Sequence, residues 1–230
     1  MNATEYDNWY KTPKGRWIGK REVETILAAL RPQPGESLLD VGCGTGFFTR
    51  ELTAATTGMA AGVDLNPEWV AYARHRDNGR ASYQVADARA LPYPNRSFDL
   101  VISITALCFI QEEAAALREI VRVTRRRFAI GLLNRHSLLW LRKGTRGGSG
   151  NYRDARWHTP REATALFRHL PVRDLEVYSA IQAPDGGRLA QLAEKWWPPA
   201  LTTGAFLLVT GEKEDYQNTR FMSARMTTSV

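Results

Sequence analysis

An acidic residue and three alternate glycines form the stretch of this chain in which chemistry is most easily recognised. Residues 38–49 read Leu-Leu-Asp-Val-Gly-Cys-Gly-Thr-Gly-Phe-Phe-Thr, an apolar segment followed by the glycines and then by a segment of helical character. A strand, a glycine turn and a helix are how α/β proteins hold a nucleotide-like ligand at the end of a strand. Glycine takes a positive φ without steric cost and lets a ligand lie on the bare backbone.

The spacing of these glycines narrows the class of ligand. Gly42, Gly44 and Gly46 give the pattern G-x-G-x-G. A dinucleotide site needs G-x-G-x-x-G, and a P-loop needs a Lys followed by Ser or Thr, so neither pattern fits. The carboxylate of Asp40, just before the glycines, repels a phosphate and attracts an ammonium group. A nicotinamide-dependent oxidoreductase shares the strand, turn and helix, but it is disfavoured on both grounds.

Two further acids end the next two predicted strands. Residues 59–63 form an apolar run that ends at Asp64, and residues 82–86 form a further short predicted strand that ends at Asp87. An acid after the second strand is placed to accept hydrogen bonds from both hydroxyls of a ribose. Because Asn66 can cap the following helix, Asp64 is expected to be free for the ligand. The carboxyl ends of parallel strands meet, so all three acids are expected to line one crevice.

These motifs closely resemble those of the class I S-adenosylmethionine (SAM)-dependent methyltransferases, in particular the Methyltransferase type 11 family. Residues 38–49 are similar to its glycine-rich motif I, and residues 85–88, followed by residues 91–94 and 97–101, are similar to its adenine-binding motif. The resemblance implies SAM as cofactor and S-adenosyl-L-homocysteine as product, with the methionine part of SAM on the glycine turn and its adenine at Asp87 and Ala88. The cofactor-binding residues that it implies are Asp40, Gly42, Gly44, Gly46, Asp64, Leu65, Asp87, Ala88, Ser103, Tyr6 and Trp17.

An aromatic segment precedes the first predicted helix. Residues 1–21 include Tyr6, Trp9, Tyr10 and Trp17, which are too many large rings for a disordered tail. By the resemblance, such an arm closes over the cofactor, and an aromatic face attracts a sulfonium cation without acting as a nucleophile. We therefore expect a lid, with Trp9 and Tyr10 towards the substrate. Simple packing of these rings onto the first helix is the alternative.

The net charge of +7 is unevenly placed along the chain. Between positions 118 and 168 there are thirteen Lys and Arg against three acidic residues. By the resemblance, an insert at residues 134–158 forms the substrate side of the crevice. Its Arg135, Arg153 and Arg156 are candidates for binding a small anionic acceptor. RNA or another anionic macromolecule is an alternative partner, and a solvated basic surface is a third reading. The apolar residues 196–197 leave a lipophilic methyl acceptor as a further alternative.

Methyl transfer from SAM is an in-line displacement, so alignment in a dry crevice can supply most of the acceleration. A base is needed only where the acceptor must lose a proton early. His158 could serve as that base, and Tyr152 could orient the acceptor, whereas Cys108 is expected to be a buried apolar residue. No metal site is expected. A catalytically silent SAM-binding protein would keep the same cofactor residues, so the sequence leaves that alternative open.

The predicted fold that brings these residues together is α/β, with helices on both faces of a Rossmann-like seven-stranded sheet. By the resemblance, the sheet is mostly parallel and its last strand is antiparallel. A SAM-binding methyltransferase domain is expected over residues 22–212, after the arm, and a disordered polar tail over residues 213–230. With two cysteines, no apolar run of membrane length and no visible secretory signal, the chain is expected in the cytoplasm.

Overall fold

The computed structural model describes residues 2–198 and 201–214, which form a seven-stranded sheet with helices on both faces. The strands are β1 (Glu36–Val41), β2 (Thr57–Asp64), β3 (Ala81–Val85), β4 (Phe98–Ile104), β5 (Thr124–Leu133), β6 (Val172–Ala180) and β7 (Phe206–Lys213). The helices are α1 (Ala3–Trp9), α2 (Pro13–Leu30), α3 (Phe47–Thr56), α4 (Pro67–Arg76), α5 (Glu113–Val123), α6 (Leu138–Lys143), α7 (Pro160–Ala165) and α8 (Arg188–Trp196).

The strand order is β3-β2-β1-β4-β5-β7-β6. The pairs from β3 to β5 are all parallel, whereas β7 runs antiparallel to both of its neighbours, β5 and β6. The predicted fold class, including the reversed last strand, is therefore confirmed. In this order β1 lies near the middle of the sheet, and the turn that follows it lies between the ends of β2 and β4.

The core consists of two apolar layers, one on each face of the sheet. Successive side chains of a strand point to opposite faces, so β4 contributes Val101 to one layer and Leu100 and Ile102 to the other. The first layer packs against α5 and the second against α2 and α3. Burial on both faces explains the continuous apolar runs of the central strands.

The N-terminal segment is helical and continuous with the rest of the fold. A capping box fixes the start of α1, in which Asn2 and Glu5 each accept the other's backbone N–H. Thr12 caps α2 by accepting the N–H of Gly15 at 3.0 Å, and Pro13 occupies the first helical position. The helix predicted from residue 22 corresponds to α2, which begins at Pro13. The expected boundary between arm and domain therefore falls inside α2.

The insert is closed at its base and returns to the sheet. The backbone N–H of Arg135 donates to His158 at 2.9 Å, and the N–H of His158 donates to Leu133 at the same distance. Between these residues lie α6 and two 3-10 turns, Thr145–Gly147 and Gly150–Tyr152. The insert is thus an ordered loop of short helices that can form part of a binding site.

The predicted tail lies outside the described residues from position 215 onwards, and β7 extends through Lys213. In the described part of the chain, no helix combines the length and apolar character that crossing a membrane requires. The same residues contain no cluster of His, Cys, Asp and Glu arranged to hold a metal ion.

Candidate functional site

A crevice of about 650 Å³ opens at the carboxyl ends of β1, β2 and β3. Asp40, Asp64 and Asp87 all line it, so the convergence expected from their positions at strand ends is present. The glycine turn, α4 and the residues that follow β4 form its other walls. We call this space the crevice.

The glycine turn has the geometry that excludes side chains. Gly42 and Gly44 have φ values of 76° and 55°, which lie in the left-handed region. A Cβ on Gly44 would lie 3.0 Å from the ring of Trp69, and a Cβ on Gly42 would lie 2.2 Å from the Cβ of Ala106. The turn is therefore closed in from both sides, by two residues that the sequence motif did not identify.

Asp40 is the most deeply buried of the three acids. Only 1% of the residue is exposed, and its Oδ2 accepts a hydrogen bond of 2.7 Å from the hydroxyl of Thr49. Burial raises the pKa of Asp40 to about 7, and the Thr49 hydroxyl opposes that rise. A cationic ligand in the crevice would favour the ionised form of this carboxyl.

Asp64 holds the glycine turn in place. Its Oδ2 accepts the backbone N–H of Gly44 at 2.8 Å, and its Oδ1 accepts that of Asn66 at 2.9 Å. The expectation that Asn66 leaves this carboxylate free is therefore wrong, although Asn66 does cap α4. A carboxylate has about four lone-pair sites, so both oxygens of Asp64 can still accept ligand hydroxyls.

Asp87 forms an ion pair with Arg89, two residues further along the chain, and both residues line the crevice. The guanidinium of Arg89 donates to both of its oxygens, with Nη2 2.7 Å from Oδ2 and Nε 3.1 Å from Oδ1. Hydrogen bonds from Arg89 hold the pKa of Asp87 below its usual range. Ala88 and the exposed Leu65 also line the crevice, in agreement with their predicted positions.

A second space of about 460 Å³, which we call the side cavity, adjoins the crevice. Both spaces share four lining residues, which are Tyr6, Thr105, Phe109 and Asn151. Thr105, directly after β4, has a φ of 57°, which is strained for a β-branched residue. Such strain is concentrated at functional sites, and here it lies where the two spaces meet.

Aromatic side chains dominate the N-terminal wall of the side cavity. Trp9, Tyr10 and Tyr152 line it together with Tyr6, so the predicted substrate-side aromatic residues are brought together. The hydroxyls of Tyr6 and Tyr10 lie 3.3 Å apart, and the ring of Tyr10 stacks on Phe47 at 3.7 Å. Burial raises the pKa of Tyr6 to about 12, so its hydroxyl stays neutral at physiological pH.

Residues 39–128 match the family model Methyltransf_11, described as a methyltransferase domain. The uncharacterized protein Rv2003c of Mycobacterium tuberculosis is 34% identical over 199 residues, which cover 80% of this chain and 63% of that protein. An O-methyltransferase of Pyrenophora dematioidea is 34% identical over 105 residues, which cover 44% of this chain and 39% of that protein. The chain is thus similar to the Methyltransf_11 methyltransferase domain over residues 39–128. It spans about 63% of the length of Rv2003c.

The fold of the described residues agrees with this match. The crystal structure of a SAM-dependent methyltransferase from Thermotoga maritima superimposes with a TM-score of 0.70 at 22% identity, over 92% of this chain and 95% of that one. At this identity the likeness concerns the fold alone. Residues 39–128 are thus part of a seven-stranded sheet that has the same fold as that methyltransferase.

The cofactor of Methyltransf_11 domains is SAM, and the crevice fits it. Gly42 and Gly44 line the crevice without side chains, so a ligand can approach their backbone directly. Its three carboxylates are hydrogen-bond acceptors that would suit the ammonium group, the ribose hydroxyls and the adenine amino group of SAM. When bound, SAM supplies an electrophilic methyl group on a sulfonium.

Three predicted cofactor residues do not line the crevice, namely Gly46, which packs against Tyr83 and Ala73, Ser103 and Trp17. Ser103 is fully buried in β4, and its hydroxyl has no partner among the described residues. Trp17 lies on α2 against Gly186, because α2 begins early and turns this side chain towards the C-terminal part of the chain. Neither side chain is placed to contact SAM in this arrangement.

The predicted base and two of the predicted arginines lie in a separate surface groove, which we call the outer groove. His158 is buried there with its Nε2 3.0 Å from Oε2 of Glu113. Arg156 lies 3.5 Å from the same carboxylate, and Arg135 lies 3.0 Å from Glu162. These residues line neither the crevice nor the side cavity, so the structure supports neither a base role for His158 nor acceptor contacts for the arginines.

Arg153 is exposed and lines none of the described cavities, so its predicted role finds no support either. The side cavity instead contains three charged residues that the sequence motifs did not single out, which are Lys14, Glu22 and Lys143. Cys108 is fully buried and accepts the N–H of Leu133 at 3.3 Å, as expected for a structural thiol.

Proposed function

We propose that this chain transfers the methyl group of SAM to a small molecule bound in the side cavity. The observation that carries this proposal is the junction at Thr105 and Phe109, which line both spaces. In-line displacement requires the methyl donor and the acceptor atom in contact, and proximity of this kind supplies much of the acceleration. SAM in the crevice and an acceptor in the side cavity would meet at that junction.

The size and lining of the side cavity favour a small, largely aromatic acceptor. Its volume of about 460 Å³ is typical of small-molecule sites. Rings from α1 and from Phe206 surround the space, and such rings prefer edge-to-face or offset contacts with a planar ligand. Oxygen is the favoured methyl acceptor, because the Pyrenophora relative is named an O-methyltransferase.

Helix α1, which contributes to the wall of the side cavity, is anchored to the rest of the fold by the buried carboxylate of Asp7. Asp7 of α1 is 4% exposed and lies 2.8 Å from the guanidinium of Arg50 in α3, with Arg76 at 3.6 Å. This anchor holds Tyr6 against Trp69, with ring centroids 5.1 Å apart. We propose that α1 acts as the closing wall expected of the aromatic arm, with the insert opposite.

An anionic macromolecule is less well supported as the acceptor. The arginines that would bind its phosphates, Arg135 and Arg156, are paired with carboxylates in the outer groove, away from the side cavity. Resistance of the methylated product to RNase treatment would agree with the small-molecule proposal, whereas its loss would favour RNA.

The test is a calorimetric titration with SAM followed by turnover on hydroxyl, amine, thiol and carbon acceptors. We expect SAM and S-adenosyl-L-homocysteine to bind, Asp64→Ala to weaken both, and a hydroxyl acceptor to be methylated. Arg153→Ala provides a control, because that residue lines none of the described cavities. Binding of SAM without turnover of any acceptor would identify a silent SAM-binding protein instead.

A further inference from the structure

A glutamate interrupts the buried stripe of α2. Positions four residues apart share one face of a helix, and Ile18 and Ile26 on this face are buried. Glu22, halfway between them, is 9% exposed and lines the side cavity. An apolar residue at this position would complete the stripe, so the carboxyl is an exception to the pattern that forms the helix.

The carboxyl of Glu22 has no hydrogen-bond or ion-pair partner within residues 2–198 and 201–214. Burying an unpaired carboxylate is unfavourable, and natural folds rarely keep one without a use. Burial raises the pKa of Glu22 to about 8, so the group can both take and release a proton near neutral pH. An unpartnered titratable group in a cavity is typical of a functional site.

The charge of Glu22 acts on the neighbouring tyrosines, including Tyr6, which lines both the side cavity and the crevice. Burial is the main reason for the raised pKa values of Tyr6, Tyr10 and Tyr152, which line the side cavity, and the charge of Glu22 adds to that rise. These three phenols therefore stay neutral and serve as hydrogen-bond donors. Among the side-cavity residues, Glu22 is the carboxyl that is free to accept a proton.

We propose that Glu22 is a catalytic residue that contacts the acceptor in the side cavity and removes the proton of a phenolic hydroxyl as its oxygen takes the methyl group. This inference rests on the proposed function. The oxygen–carbon bond forms as the carbon–sulfur bond breaks, and the electron pair of that bond neutralises the sulfonium. The hydroxyl proton goes to the Glu22 carboxylate and then to solvent, so one proton is released for each methyl transferred.

Acidity selects a phenol among the hydroxyl acceptors. A phenol has a pKa of about 10, close enough to that of Glu22 for a carboxylate to share its proton during the reaction. An aliphatic alcohol is far less acidic, and a neutral amine attacks without a base. Glu22 therefore suits a phenolic acceptor better than either of these.

Two lysines at the mouth of the side cavity define the other end of the acceptor. Lys14 and Lys143 are exposed, line the cavity and have no ion-pair partner in the described part of the chain. They attract an anion and repel an ammonium group. The acceptor class is thus a phenol that carries an acidic substituent, such as a hydroxybenzoate.

The experiment measures methylation of para-hydroxybenzoate, para-nitrophenol, para-aminobenzoate and para-(hydroxymethyl)benzoate by the wild type and by Glu22→Gln. We expect para-aminobenzoate and para-(hydroxymethyl)benzoate, which lack a phenolic hydroxyl, to react poorly. For para-hydroxybenzoate, Glu22→Gln should lower kcat by about 100-fold or more and flatten the rise of kcat with pH, with the Kd of SAM unchanged. Glu22→Asp should recover part of the activity, and para-nitrophenol, the more acidic phenol, should lose less.

Glu24→Gln is the matched control, because Glu24 lies on the same helix, pairs with Arg21 at 2.6 Å and does not line the side cavity. Lys14→Gln and Lys143→Gln should raise the KM for para-hydroxybenzoate several-fold without changing kcat, and leave para-nitrophenol unaffected. Lys20→Gln serves as their control.

Unchanged kcat and pH profile in Glu22→Gln would overturn the inference while leaving the proposed function intact. Preference for the amine, or methylation of no phenol by a wild type that binds SAM, would overturn the assigned acceptor class. Failure of the wild type to bind SAM would instead overturn the proposed function. Thermal melting of Glu22→Gln, expected to be at least as stable as the wild type, separates lost catalysis from lost folding.

Discussion

The crevice and the side cavity adjoin each other, yet the chain builds them in different ways. With the exception of Tyr6 and Asn151, the crevice comes from residues 40–111, in which three strands end side by side. The side cavity draws on α1, α2, the insert and the residues that flank the last two strands. A local sequence pattern can therefore describe the crevice, whereas only the tertiary fold assembles the side cavity.

Their carboxylates differ in the same way. In the crevice, Asp40, Asp64 and Asp87 each accept a hydrogen bond from a protein group. In the side cavity, Glu22 has no such partner among the described residues. Preset acceptors suit a cofactor whose cationic group and hydroxyls are always the same. A carboxyl left free suits a proton that is moved in each turnover.

Gly44→Val should have the largest effect on the crevice. The side chain meets Trp69, and the φ of 55° is unfavourable for a branched residue. We expect the affinity for SAM to fall by about 100-fold or more, measured by calorimetry. Gly79→Val is the matched control, because Gly79 has a φ of 77° but nothing within 4 Å of its Cβ position. Equal losses in both variants would attribute the effect to backbone strain and break the assignment of the turn to SAM.

The pH dependence of SAM binding should separate Asp40 from Glu22. Since the pKa of Asp40 is raised to about 7, the carboxyl must lose a proton before it can attract an ammonium group. The affinity for SAM should therefore rise with pH up to about 7, by at most about tenfold per pH unit, with proton release seen in buffers of different ionisation enthalpy. Asp40→Asn should abolish this dependence, and Glu22→Gln should keep it. A dependence that survives in Asp40→Asn would contradict the account.

Glu22 should also make the stability of the fold depend on pH. Its pKa is about 8 in the fold and about 4.5 when unperturbed, so the folded state binds this proton more tightly and wild-type stability falls as the pH rises between those values. Glu22→Gln lacks this loss, so its melting temperature should exceed that of the wild type by ~10–20 °C at the upper end of the range and by little at the lower end. A constant gap across the range would mean that Glu22 is solvated or paired. Glu24→Gln should show no pH-dependent gap.

Changes in the outer groove should have the smallest effect. Arg135→Ala and Arg156→Ala remove ion pairs that lie outside both the crevice and the side cavity. We expect kcat/KM for a phenolic acceptor to change by less than about twofold, since exposed ion pairs contribute little. A loss above tenfold would show that the insert arginines contact the acceptor, as their charge alone had suggested.

The fold and the crevice were accessible from the sequence because their signals are local. An apolar run followed by an acid marks a strand end wherever it occurs, and the topology then brings Asp40, Asp64 and Asp87 together. The start of α2 could also be predicted from the sequence, since Thr12 followed by Pro13 is a helix N-terminus signal. The many aromatic residues instead led to the prediction of an arm that precedes the first helix.

The side cavity could be predicted only in part. The rings of Trp9 and Tyr10 were expected on the substrate side, and they line the side cavity. The carboxylates that pair with the insert arginines, Glu113 and Glu162, come from other segments, so the charge of the insert alone could not predict these ion pairs. One signal for Glu22 was available, since it stands four residues before Ile26 on the apolar stripe of α2. A charged residue at a core position marks either an ion pair or a functional group, and the fold decides which.

The most direct test of the account is a crystal structure with S-adenosyl-L-homocysteine and para-hydroxybenzoate bound together. We expect the sulfur beside Thr105 and Phe109, with the phenolic oxygen between it and the carboxyl of Glu22 and the benzoate carboxylate towards Lys14 or Lys143. Density for the hydroxybenzoate in the outer groove, beside His158 and Glu113, would contradict it.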